Sequence, residues 1–211
     1  AMALHPYAEP IAHNYARALS LAGEDRLSAE AIRRAAVYNP DHGVTRQVRF
    51  ELAAFDGRYD EALALLADPE TRPMLRRREG EVLTRYLKGA GHWDDAERQA
   101  LAAEFSGMAL HGEIDCDLAI MALVALGDID AAFALLGAPA MEELLGIGKT
   151  YFLFRPLLAP LRADPRFGAV AADLGLARHW ALRGRWPDLC RDEVAPDFCH
   201  RQTAQAMARH R

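Results

Sequence analysis

The chain has 211 residues, 51% of them hydrophobic, with 25 Lys and Arg against 30 Asp and Glu and a net charge of −5. That length supports one or two domains with a sizeable core, and the hydrophobic fraction excludes an intrinsically disordered chain. The acidic balance gives no general attraction for nucleic acid or an anionic membrane, and no apolar run is long enough to span a bilayer.

Alanine and leucine dominate and β-branched residues are sparse, a mixture that favours helix throughout. Ala1-Met2-Ala3 reads as a cloning scar and not a targeting segment, which carries the expectation of a longer native chain. Residues 9–22 are predicted as a helix with Pro10 in its first turn, where a missing N–H costs little. Residues 26–38 pair with it, and Pro40 ends the pair. The stretches 44–55 and 59–67 form a second hairpin, followed by the connector Asp68-Pro69-Glu70-Thr71-Arg72-Pro73. The stretches 74–88 and 93–105 form a third, and 114–126 and 129–136 a fourth. Residues 118–126 are apolar nearly all round, which predicts the most buried helix of the chain. Pro139 breaks the pattern, and a short helix over 141–145 is ended by Gly146 and Gly148. Further on, Asp164-Pro165 reads as an N-cap followed by proline at the first helical position. Phe167, Val170, Ala171 and Leu174 follow at helical spacing, with Gly175 as the C-terminal glycine cap. A last short helix over 176–182 is stopped by Gly184 and Pro187. Residues 192–211 are polar and are expected as a loose or partner-docked tail.

The four hairpins share one phrase. Gly57-Arg58-Tyr59-Asp60-Glu61-Ala62 recurs as Gly91-His92-Trp93-Asp94-Asp95-Ala96 and Gly127-Asp128-Ile129-Asp130-Ala131-Ala132, with a weaker copy at Gly23-Glu24-Asp25-Arg26-Leu27-Ser28. The glycine closes the first helix of each pair in the left-handed conformation. Tyr59, Trp93 and Ile129 fill the adjacent gap, and Ser28, Ala62, Ala96 and Ala132 let the paired helices approach. The glycines are 34, 34 and 36 residues apart, and a helical period of 34 is that of tetratricopeptide (TPR) repeats. The first repeat resembles that family at Tyr15, Ala16, Leu19, Ser28, Ile32, Ala35 and Pro40, and the third at Leu83, Leu87, Ala96 and Ala103. The second departs from it at Phe50, where a small residue is usual, and at Pro69. The resemblance implies an all-α, TPR-like right-handed α-solenoid of about four helical hairpins with a helical C-terminal cap. The corresponding domains are 4–137 for the repeats, 138–190 for the capping segment and 191–211 for the tail. The cap would cover the apolar face of the last repeat with Phe152, Phe154, Leu157, Leu161, Phe167, Trp180 and Trp186.

Within the cap, Leu153-Phe154-Arg155-Pro156, Leu161-Arg162-Ala163-Asp164-Pro165-Arg166-Phe167, Leu174-Gly175-Leu176, His179-Trp180 and Arg185-Trp186-Pro187-Asp188-Leu189-Cys190 resemble the closing segment of a group of bacterial TPR proteins. His179 and Leu189 depart from it, where tyrosine and phenylalanine are usual. In that group the repeats follow an N-terminal effector, often a winged-helix DNA-binding domain and sometimes a nucleotide-cyclase domain. The resemblance implies the C-terminal sensory or interaction region of a transcriptional regulator, with a free-standing adaptor, a homo-oligomeric scaffold and a cyclase-type signalling protein as alternatives.

Candidate chemistry is sparse. Gly146-Ile147-Gly148-Lys149-Thr150 invites a phosphate-loop reading, but Glu143 stands where that motif needs its first glycine and the preceding stretch reads as helix. A nucleotide-handling enzyme using Lys149 and Thr150 is kept as the competing class. Cys190, Cys199 and His200 match no common zinc spacing. Cys116, Cys190 and Cys199 are an odd, sparse set, expected as free thiols in a reducing compartment. None of His5, His13, His92 and His111 has an evident nucleophile and orienting acid. No catalytic residue, cofactor or metal is therefore assigned. Arg72, Arg76, Arg77 and Arg78 form a basic cluster at a helix start, where cations oppose the helix dipole. The candidate binding surface is the groove lined by the first helix of each repeat. By repeat position it carries His13, Asn14 and Arg17, then Gln47 and Glu51, then Glu81, Arg85 and Lys88, and Asp117. Both signs of charge suit a protein or peptide segment of mixed charge. The expected partners are such a segment or a second copy of the chain, with no direct nucleic-acid contact and no membrane insertion. The expected compartment is the cytoplasm, with the periplasm, beyond a single membrane span, as the alternative.

Overall fold

Helix boundaries follow from which groups take up the free ends. The structure is a computed structural model and describes residues 9–139, 141, 149–187, 190 and 199. Eight helices fill the repeat region: α1 (Glu9–Leu21), α2 (Asp25–Tyr38), α3 (Gly43–Phe55), α4 (Tyr59–Ala67), α5 (Arg77–Gly89), α6 (Asp95–Leu110), α7 (Cys116–Leu126) and α8 (Ile129–Leu136). Two 3-10 segments, Lys149–Phe154 and Pro156–Leu158, lead into α9 (Ala159–Ala163), α10 (Phe167–Asp173) and α11 (Leu176–Arg183). The described residues are all-helical, with no strand among them. The phrase glycines Gly23, Gly57, Gly91 and Gly127 take φ of +74°, +80°, +82° and +86°, a region that other residues enter only at a steric cost.

Several predicted boundaries move by two residues or more, among them the end of α6, at Leu110 rather than 105, and three starts move for a clear local reason. α5 starts at Arg77 rather than Met74, because the Arg76 amide donates to the Glu79 carboxylate (3.1 Å) and sets the first turn there. α6 starts at Asp95 rather than Trp93. The Asp94 carboxylate accepts the Glu97 N–H (2.8 Å) and the Glu97 carboxylate accepts the Asp94 N–H (3.0 Å), a reciprocal capping box. The later start leaves Ala96 exposed, whereas Ser28, Ala62 and Ala132 are fully buried. Ser28 donates its hydroxyl to the Ala16 carbonyl across the first pair (2.8 Å). Trp93, left outside α6, lies over Gly89, where a Cβ would come within 2.3 Å of its Nε1. Its ring also packs on Tyr86, with centroids 5.2 Å apart. Finally, α10 starts at Phe167. Asp164 accepts the Arg166 amide (2.9 Å) and its guanidinium, so Asp164-Pro165-Arg166 is a turn before the helix and not its N-cap.

Successive helices pack on one another, and α1 also touches α3 as α6 touches α8. A small core between the first three helices contains Ala16, Ile32, Val48 and Leu52. The main core runs from Phe50 to Trp180 around α7, in which every side chain but Ala125 is buried. Tyr86 is fully buried in it beside Phe55 and Phe105. Phe152, Leu153, Leu158, Leu161 and Phe167 enter the same core, while Trp180 packs against Phe154 and Trp186. Arg162 is buried and donates to the carbonyls of Leu153 (2.7 Å) and Arg155 (2.8 Å). Burial pushes its pKa down to about 10, so it stays charged at neutral pH.

The thiol expectation is corrected for two of the three cysteines. Cys190 and Cys199 form a disulfide with Cα atoms 5.5 Å apart, because the fold brings Cys199, buried against the main core, back to Cys190. Such proximity is a tertiary property that spacing does not disclose. It also removes both sulfurs as metal ligands. Cys116 is free and buried. No helix among the described residues is long and apolar enough to cross a membrane. The predicted helix over 141–145, apart from Met141, lies outside the described residues. So do Gly146 and Gly148, His5, His200 and the tail apart from Cys199.

Candidate functional site

The groove residues separate into two places. The first lies where α1, α3 and α7 face one another, with α3 touching α7 directly. Arg17 pairs with Glu51 (3.4 Å), and Gln47 donates to the other oxygen of Glu51 (3.2 Å). Asp117 is buried nearby. The space between them is not open. Tyr151, Phe152 and Arg155 from the capping segment fill it and leave a void of about 10 Å³, room for one water at most. The Arg17 guanidinium sits over the Tyr151 ring, 5.4 Å from its centroid. Burial raises the Tyr151 phenol above its ordinary pKa against the pull of Arg17. His13 is also buried and stacks on His42, with ring centroids 6.3 Å apart, while Asn14 is exposed. At Arg17, Glu51 and Asp117 the inner surface is thus a seam occupied by the chain itself.

Asp56 anchors that seam. Its carboxylate accepts from Arg155 (2.7 Å) and from the Ser20 hydroxyl (3.3 Å), and Arg155 also reaches the Met121 sulfur (3.4 Å). Four stretches of chain meet there: α1, the end of α3, α7 and the capping segment. Burial raises the Asp56 pKa, and the nearby Arg155 only partly offsets it. The group is a buried ion pair that ties the end of α3 to the capping segment.

The second place is open. A cleft of about 540 Å³ is walled by Leu66, Arg72 and Leu75 on the α4–α5 connector side and by Arg77, Glu81 and Arg85 on α5. It unites part of the basic cluster with two of the predicted groove residues. Arg72 is fixed by the Leu66 carbonyl at the C-terminal end of α4 (2.7 Å), a favourable place for a cation. Arg77 pairs with Glu81 (3.2 Å), Arg85 with Glu104, and Arg78 with Glu113 outside the cleft. Lys88 is exposed one turn beyond Arg85. The only acid at this helix start that is buried is Glu79, whose carboxyl burial pushes above its ordinary pKa.

Sequence reasoning assigned neither Tyr151 and Arg155 to the inner seam nor Leu66 and Leu75 to the cleft. Arg155 lies in the closing motif and Tyr151 two residues before it, both within the segment expected to cover the apolar face of the last repeat. The second shows only as single apolar residues around a proline-rich connector. Among the described residues, no three His, Cys, Asp or Glu side chains converge to hold a metal. Burial, with the charges of Asp117 and Asp115 behind it, raises the Cys116 thiol above its ordinary pKa, which disfavours a reactive thiolate. Lys149 and Thr150 follow glycines outside the described residues. No protein-family model, curated protein or solved structure matches this chain.

Proposed function

We propose that this chain is a non-catalytic interaction module built of TPR-like helical hairpins in a right-handed solenoid with a helical cap. We read it as the C-terminal sensory or assembly region of a bacterial transcriptional regulator. One observation carries the TPR-like reading: the glycines that recur at the TPR period all take positive φ at the end of the first helix of a pair. Fold alone does not establish a ligand, so the binding surface is argued from the open cleft on α5. A photo-crosslinking residue placed at Glu81 or Lys88 of the native-length protein should capture a partner in its source cells. The same residue at Asn14 or Glu24 should not. Equal capture at all four positions, or capture only at Asn14 or Glu24, contradicts the reading.

The disulfide favours one version of this function. A structural disulfide persists in an oxidising compartment and is rare in the cytosol, so the periplasmic alternative gains over the cytoplasmic one. Protein denatured in excess alkylating agent at the moment of cell lysis should show one free thiol, that of Cys116, as a single alkyl group. Three free thiols would return the region to a reducing compartment.

A further inference from the structure

The α5 cleft has a charge order specific enough to name its occupant, on the reading that this surface docks a partner. Arg77, Glu81 and Arg85 are spaced four residues apart, so they form one stripe along α5. Neighbours in that stripe rise by about 6 Å, close to the roughly 6.6 Å between alternate residues of an extended strand. A stripe ordered plus, minus, plus therefore matches an extended segment that presents acid, base, acid on one side at every second residue. The opposite side of such a segment would meet Leu66 and Leu75 across the cleft, which suits apolar residues between the charged ones. The arginines are available for this. The Arg77 and Arg85 side chains are 86% and 56% exposed and their present partners are carboxylates on this chain. Exposed pairs of that kind contribute little and exchange readily. Each guanidinium can hold a carboxylate through two parallel N–H donors. The full stripe spans about 12 Å, too long for a single small anion to engage both ends.

We propose that this cleft docks an extended partner segment of the pattern acid–apolar–base–apolar–acid. The probe is a labelled peptide containing Glu-Leu-Lys-Leu-Glu, titrated into the full chain by fluorescence anisotropy. Two further arms are a scrambled Glu-Glu-Leu-Leu-Lys peptide and inorganic pyrophosphate as competitor. The patterned peptide should bind about tenfold more tightly than the scrambled one, the discrimination expected when like charges are brought together. Arg77→Glu and Arg85→Glu should each weaken it by about tenfold. The triple exchange Arg77→Glu, Glu81→Lys, Arg85→Glu should lose this peptide and gain Lys-Leu-Glu-Leu-Lys. Circular dichroism of each variant establishes that it is folded. Equal binding of patterned and scrambled peptides, no binding at millimolar peptide, or displacement by pyrophosphate at comparable concentration overturns the assignment. If crosslinking at Glu81 and Lys88 succeeds while the peptide arms fail, the docking function stands and the occupant named here is wrong.

Discussion

Arg155→Met alone should lower the unfolding free energy by about 3–5 kcal/mol, and Asp56→Leu alone by a similar amount. Each removes the close partner of the other charge, and Arg58, 3.8 Å from the Asp56 carboxylate and more exposed, replaces Arg155 only in part. Asp56 and Arg155 side chains are only 6% and 7% exposed, so water cannot replace what is removed. The double variant Asp56→Leu, Arg155→Met should recover most of the loss, because neither charge then has to be desolvated. A double-mutant cycle by urea denaturation measures this. Losses that simply add would mean that the pair is not coupled. The direction of the Asp56 shift supports the expectation, since desolvation outweighs the attraction of Arg155 and holds the pKa above 3.8. Between the unfolded pKa and the raised folded one, the folded protein therefore holds a proton at this site that the unfolded chain has released. The stability contributed by this group is present at low pH and is lost as pH rises through the folded pKa. In the double variant this part of the pH dependence should vanish.

Phe152→Ala should be as damaging, at about 3–5 kcal/mol. Its ring is 2% exposed and contributes to the same core as α3 and α7. Phe154, two residues on, is half-buried against Trp180, and Phe154→Ala should cost less than half as much. This contrast separates a segment built into the core from one that lies on it. Equal, small losses at both positions would show that the capping segment is a surface attachment. Typical domains are stable by only about 5–15 kcal/mol, so Phe152→Ala consumes a large share of the total and the measurement belongs at low temperature.

Much of the architecture could be read from the chain because it depends on local signals. The positive-φ glycines, the apolar run of α7 and the small residues Ala62 and Ala132 act within one hairpin. The boundaries of α5 and α6 depend instead on side-chain caps, Glu79 on the Arg76 amide and Asp94 with Glu97. These compete with apolar periodicity and won over it. The candidate site was legible only in part. Repeat position brought Arg17, Glu51 and Asp117 to one inner surface, but nothing local indicates that Tyr151 and Arg155 return from far along the chain to fill it. The Asp56–Arg155 pair spans 99 residues, and the cysteine pairing depends on where Cys190 and Cys199 sit against the main core. Glu81 and Arg85 line a cleft made by their own helix and the connector just before it, so its position is local in sequence.

One contrast is central to this molecule, a closed inner seam beside an open arginine-lined cleft. Hydrogen exchange of the whole protein tests it most directly. The amides of Phe152, Leu153, Arg155 and Leu158 should exchange as slowly as those at the centre of α7, through opening that approaches global unfolding. Fast exchange there, with α7 still protected, would contradict the account: the capping segment would then be a displaceable occupant and the groove at Arg17, Glu51 and Asp117 would be open to a partner.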